Sequence, residues 1–283
     1  MSGPHRDAIP LSSPPAIAYA ERAEALGRAS PEPVERISYG ADEAQQLEVY
    51  APGGARDLPV LLFLHGGAWV NGHLGWLRFM APAVLALPAV FVACTYRLAP
   101  RCRWPAQEED ARAALDLAHR RAGDWGGDCD RIVLAGHSAG AQLAGLVALK
   151  GERPPLRACM PVSGPLDLRY GDVPLESDAG RVYRFLFADR SQDADASPIA
   201  FVGGNRLPFH LMWGECDLDR VRDADARMVA ALDEQPGPVT FEILAGASHF
   251  DTHLALSDPG HSWYRRLAAL TEDRIPAAAG SGH

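Results

Sequence analysis

Residues 131–140 read "RIVLAGHSAG": an apolar run that ends abruptly in Gly136, His137, Ser138, Ala139 and Gly140. A short apolar run bounded by glycine reads as a buried strand, and "AGAQLAGLVALK" (139–150) after it reads as a helix. Ser138 therefore stands at a forced bend between strand and helix. The spacing is G-x-S-x-G, in which a serine is lifted clear of a sheet on a strained turn. A side chain at 136 or 140 is expected to collide with the neighbouring strand or helix, so both positions call for glycine. The Ala139 N–H falls at a helix N-terminus, where it can stabilise an oxyanion. The competing reading is an ordinary strand-to-helix turn that matches by chance; placement between an apolar run and a helix favours the catalytic one.

Outward from this bend the pattern repeats. "PVLLFLHGG", "AVFVACTYR", "LRACMPVSG", "LPFHLMWGE" and "VTFEILAGASH" are largely continuous apolar runs, and amphipathic segments such as "QEEDARAALDLAHRRA" and "VRDADARMVAALDE" lie between most of them. Apolar strands alternating with helices imply an α/β fold whose mostly parallel sheet is covered on both faces, with functional residues at the carboxyl ends of the strands. Upstream, "ERISYG" and "QQLEVYAP" alternate with period two and read as an antiparallel hairpin with one wet face. Residues 1–33 read as a loose, Pro- and Ser-rich lead-in followed by a short helix ending near Gly27. Residues 34–275 read as one domain, and 276–283 as a disordered tail. The polar, Asp-rich stretch 164–207 with its aromatic piece "RVYRFLF" is too long for a bare connection and reads as a lid or substrate loop.

The 283 residues carry a net charge of −9 without a Lys/Arg block, which argues against nucleic acid as a partner. Five scattered cysteines without CxxC spacing argue against a disulfide framework or a zinc site. No apolar leader or run of transmembrane length is present, so a cytoplasmic protein without a membrane partner is the expectation. A homodimer is left open.

A serine hydroxyl is a weak nucleophile alone and needs a base and an orienting acid, in the chain order Ser, Asp or Glu, His. His249 directly follows the last apolar run and is the candidate base. His210, inside a run, reads as core, and His253 and His261 as surface residues. His249 and His253 could share a helical face, but without a third ligand the metal reading is set aside and no cofactor is expected. In "LPFHLMWGECDLDRV" Asp217 is the candidate acid. Asp219 is its rival, better suited to capping the next helix, and Glu215 is a weaker third. Gly66, Gly67 and Ala68, in "LFLHGGAWVNG", follow an earlier strand and can turn backbone N–H groups towards a substrate oxygen. His65 reads as a brace for that loop. Trp69, Trp213 and Phe250 are candidate substrate contacts, with Phe185 and Phe187 near them.

Taken together, "HGGAW" (65–69), "YRLAP" (96–100), Pro105 to Asp110, "GHSAG" (136–140), "GECD" (214–217) and "SHFD" (248–251) resemble the α/β-hydrolases, in the branch shared by hormone-sensitive-lipase-like carboxylesterases and arylformamidases. "VSGPLDL" (162–168) and "SPI" (197–199) are similar to arylformamidases. The resemblance spans roughly residues 34–270. It implies a Ser138–His249–Asp217 triad and an oxyanion hole from the Gly67, Ala68 and Ala139 amides. Two departures, Ala68 in place of a third glycine and a short N-terminal region, tilt the expectation towards an arylformamidase acting on an N-formyl arylamine such as N-formylkynurenine. A broad carboxylesterase is the alternative, and a ligand-binding homologue without catalysis the remote one.

Overall fold

The structure, a computed structural model, describes residues 6–54, 56–177 and 179–272. Among these the sheet comprises β1 (Glu35–Ser38), β2 (Gln46–Tyr50), β3 (Leu58–Leu64), β4 (Val90–Cys94), β5 (Gly127–His137), β6 (Ala158–Val162), β7 (Phe209–Cys216) and β8 (Val239–Ser248). Their spatial order is β1-β2-β4-β3-β5-β6-β7-β8. Strand β2 runs against both its neighbours, and the other neighbouring pairs are parallel. The helices are α1 (Pro14–Gly27), α2 (Ala81–Leu85), α3 (Ala106–Arg121), α4 (Ala139–Leu149), α5 (Asp219–Asp233), α6 (Asp251–Leu254) and α7 (Ser262–Thr271).

The continuous apolar runs are explained by two cores, one on each face. Val60, Leu62 and Leu64 of β3, with Val90 and Val92 of β4 and Ile132 and Leu134 of β5, point to the side covered by α3, α4 and α5. Their alternates Leu61, Phe63, Phe91, Val133 and Ala135 point to the side covered by α1, α2 and α7. Side chains alternate between faces along a strand, so a strand covered on both sides must be apolar at every position. Helix α4 crosses the middle of the sheet and is buried at ten of its residues, from Ala139 to Ala148. Its sequence accordingly shows no polar face.

One expectation is corrected and two are sharpened. Strand β2 has no wet face: Glu48 is wholly buried where water was expected. Arg78 clamps its carboxylate from Nε at 2.8 Å, Tyr50 donates at 2.8 Å and Arg36 at 3.0 Å. Burial opposes its charge, but these donors outweigh it and hold the carboxyl below its ordinary pKa. The short helix expected before residue 34 is present as α1, and its Tyr19 and Ala23 are core residues. The interval 164–207 is more than a lid: Leu166, Leu168, Leu186 and Phe187 are buried in the core. Asp167 pins it there, accepting from Arg169 at 2.8 Å and from Arg227 of α5 at 2.6 Å. The C-terminal tail lies outside the described residues. The five cysteines are free, and no helix among the described residues is long and apolar enough to cross a membrane.

Candidate active site

Strand β5 ends at His137 and α4 begins at Ala139, so a single residue makes the turn. Ser138 takes φ 53° and ψ −119°, a region an L-residue adopts only at a cost. The turn is possible because strand and helix nearly touch. A Cβ at Gly136 would lie 2.4 Å from the Gly140 carbonyl, and one at Gly140 would lie 2.2 Å from Leu64 O of β3. Both collisions are with backbone, which cannot rotate away. Gly140→Ala is therefore expected to cost about 1–3 kcal/mol, the range for overpacking, and to lower the melting temperature measurably. An unchanged melting curve would contradict the close approach.

The loop after β8 delivers His249, and the end of β7 delivers Asp217. His249 Nε2 is 2.9 Å from Ser138 Oγ, and its Nδ1 is 2.7 Å from Asp217 Oδ1. Asp217 is nearly buried, which opposes its charge, yet its hydrogen bonds to His249 and Ser163 keep the carboxyl below its ordinary pKa. An ionised carboxylate only accepts, so Nδ1 carries the imidazole proton and the Nε2 lone pair faces the serine hydroxyl. The orientation is fixed further by groups the sequence did not announce. Ser163, itself at φ 51°, donates from Oγ to Asp217 Oδ2 at 2.6 Å. Thr252 of α6 donates to the His249 carbonyl at 2.9 Å, and His137 Nε2 lies 2.9 Å from the same oxygen. The motif "VSGPLDL" contained Ser163, but no local pattern could say that its hydroxyl reaches residue 217.

The rivals for the acid stand elsewhere. Asp219 is the first residue of α5, makes no cap and pairs with Arg222, so the capping expectation also fails. Glu215 accepts the Gly246 N–H at an exposed edge.

The loop after β3 approaches the serine from the other side. Gly67, Ala68 and Trp69 have φ of 120°, 53° and 61°, three successive left-handed residues. The Val70 and Asn71 amides close the turn onto Gly67 O at 3.1 and 3.0 Å. No hydrogen bond among the described residues uses the Gly67 or Ala68 amide. Ala139, at the first position of α4, has an N–H without an intrahelical acceptor. Gly66 lies against the elbow: a Cβ there would meet His137 Nδ1 at 2.8 Å, so glycine at this position lets the loop close on it. His65 is buried, stacked on Tyr96 at 4.3 Å, with Nδ1 2.6 Å from Gly66 O. Burial holds its pKa down at about 4, as befits a neutral brace.

Ser138 and His249 open into a cavity of about 440 Å³. Trp69, Phe250 and Phe185 line it, with Gly67 and Ala68 at one side. Trp69 is locked by donating from Nε1 to Gln142 Oε1 at 2.9 Å, and Gln142 in turn donates to Ala196 O at 2.7 Å. Two aromatic expectations fail. Trp213 lies on the face of β7 shared with Leu211 and stacks on Phe241 of β8, away from the cavity. Phe187 is buried against Trp104. The supposedly loose N-terminal residues Ile9 to Ala16 roof the cavity instead, held by Ile9 N–H donating to Val70 O at 2.8 Å and by Asn71 Nδ2 donating to Ile9 O at 2.5 Å.

His253 is a further correction. It is fully buried rather than exposed, with Nδ1 2.8 Å from the Tyr19 hydroxyl of α1 and its ring stacked on His137 at 4.9 Å. It shares no face with His249, whose two nitrogens are already engaged. His210 is a packed residue of β7 bonded to Thr240 at 2.9 Å, and His261 caps α7.

Comparisons with known proteins agree with this fold. A family model described as alpha/beta hydrolase fold matches residues 61–252. Two curated esterases of Mycobacterium tuberculosis are similar: Esterase LipQ, 32% identical over 218 residues, 70% of this chain and 51% of that protein, and Esterase LipC, 31% identical over 246 residues, 76% and 59%. The chain thus spans a little over half the length of these relatives. Among solved structures, a Pyrobaculum calidifontis esterase superposes with a TM-score of 0.74 at 20% identity, covering 90% of this chain and 91% of that one. EstE1, a thermophilic carboxylesterase cloned from a metagenomic library, does so with a TM-score of 0.74 at 22% identity, covering 93% and 99%.

Proposed function

Because this chain belongs to the α/β-hydrolase family, we propose that it is a serine carboxylesterase that cleaves a small, largely apolar ester through an acyl-enzyme. The observation that carries the reading is the unbroken hydrogen-bonded line Asp217–His249–Ser138, ending at a cavity. The esterase names of its relatives support ester over amide.

In this reading His249 Nε2 takes the Ser138 proton as Oγ attacks the ester carbonyl carbon. Asp217 keeps the proton on Nδ1 and stabilises the imidazolium as it forms. The Gly67, Ala68 and Ala139 amides receive the oxyanion, each donor worth about 2.7–4 kcal/mol in a comparable site. His249 returns its proton to the departing alcohol, and water then repeats the attack on the acyl-serine.

N-formyl arylamine hydrolysis stands second, favoured by the left-handed Ala68 where the lipase-like esterases usually carry glycine. The two are separated by kcat/KM on p-nitrophenyl acetate and butyrate against N-formylkynurenine. The esters are expected to be the better substrates by at least about tenfold, a difference of 1.4 kcal/mol in transition-state binding. A clear advantage for the formamide would reverse the order.

A further inference from the structure

The cavity in front of Ser138 is walled by apolar and aromatic groups, yet two arginines stand in its lining: Arg181, in the 164–207 interval, and Arg220, in the first turn of α5. No aspartate or glutamate lines the same cavity. Neither guanidinium makes a salt bridge among the described residues, in a chain that carries 36 acidic against 27 basic residues. The contrast with their neighbours is direct. Arg184, three positions after Arg181, pairs with Glu176, and Arg222, two after Arg220, pairs with Asp219. With carboxylates in excess, two cations without a salt bridge among the described residues in the lining of one largely apolar cavity are unusual, since bringing guanidinium charge to such a surface costs solvation that a partner normally offsets.

A third donor lines the same cavity, close to Arg220. Tyr170, also in the cavity lining, has a buried hydroxyl whose oxygen faces the Arg220 guanidinium and whose proton meets no acceptor among the described residues. Burial raises its pKa to about 12 while the nearby Arg220 guanidinium works in the opposite direction. A buried phenol O–H without an acceptor is a donor that a bound ligand can satisfy. Two planar donor forks and a hydroxyl, set in an apolar cavity, suit a planar anion with oxygen acceptors.

We infer that Arg181, Arg220 and Tyr170 form a carboxylate subsite, so that the ester cleaved at Ser138 carries a free carboxylate elsewhere in the molecule. The inference rests on the hydrolase reading and narrows its substrate class from neutral esters to anionic ones. It also assigns the 164–207 interval a role: it supplies Arg181 and Tyr170, while α5 supplies Arg220, so the subsite bridges two elements otherwise tied by the Asp167–Arg227 pair. Cleavage itself is ordinary hydrolysis. The acyl–oxygen bond breaks, water supplies the hydroxyl of the new acid, and the carboxylate in the subsite is unchanged.

The test compares paired substrates on the full chain. The p-nitrophenyl hemiester of glutarate is set against its methyl-capped neutral diester, which places the charge on the acyl side. Acetoxybenzoate is set against its methyl ester, which places it on the alcohol side. At least one carboxylated member is expected to exceed its neutral partner in kcat/KM by about 10- to 100-fold, the range for charge-assisted hydrogen bonds. In Arg181→Gln/Arg220→Gln that ratio should fall to near one, and in Arg181→Glu/Arg220→Glu below one. Because each ratio is taken within one protein, loss of folded enzyme cancels from it. A ratio near one in the natural sequence, or a preference that survives both double variants, would overturn the subsite. Fluorophosphonate labelling of Ser138, which needs no carboxylate, reports the hydrolase reading separately: labelling without carboxylate preference sinks the subsite alone, whereas absence of labelling sinks the hydrolase.

Discussion

Ser138→Ala is expected to abolish covalent labelling by a fluorophosphonate and to lower kcat on a p-nitrophenyl ester by about a million-fold, the loss seen on removing the nucleophile from a comparable triad. The reason is geometric: Oγ is the atom brought to 2.9 Å of His249 Nε2. The double replacement Ser138→Ala/His249→Ala should cost no more than the single one, because an imidazole without a hydroxyl to deprotonate has no proton to move. Additive losses would mean that the two side chains act separately. Residual hydrolysis above the rate in water would come from the backbone donors at Gly67, Ala68 and Ala139.

The second large effect concerns stability and acid. His65, His137 and His253 are all buried. Burial holds His65 near pKa 4 and His137 near 3, the latter helped down by the neighbouring His249, and pushes His253 well below its ordinary value. In the unfolded chain each titrates near 6.5, so between that pH and the folded values only the unfolded state binds the protons. Stability is therefore undiminished above about pH 6.5 and lost as the pH falls below it, at about 1.4 kcal/mol per pH unit per histidine. At pH 5 the three together amount to on the order of 5 kcal/mol, against the 5–15 typical of a folded domain. Melting temperatures at pH 7.5 and 5 should differ by about 10 °C or more. A curve flat across that interval would show that these rings are not buried neutral.

The elbow could be read in advance because its information is local: two glycines, a serine and the strand–helix change all fall within ten residues. His249 and Asp217 were legible for a related reason, each following an apolar run whose carboxyl end faces the site. What stayed hidden depends on distance or on parity. Trp213 was misplaced because an all-apolar strand does not say which face its odd positions take, and it shares the face of Leu211. His253 sits in a four-residue helix, and its burial comes from partners distant in sequence: Tyr19, 234 positions away, with Phe63, Phe79 and His137. Ser163 and Thr252 steady the acid and the base through single hydroxyl groups, which leave no trace in hydropathy.

The roof over the cavity has a further consequence. Ile9 to Ala16 belong to neither the sheet nor the elbow, yet they line the cavity in front of the serine and are tied to the rest at Val70 and Asn71. Selection could thus remodel diet by editing these eight residues while the reacting machinery drifts independently. Kinship judged on the shared core would group proteins with unlike appetites, and swapping this one strip between cousins would transplant a preference without touching the chemistry.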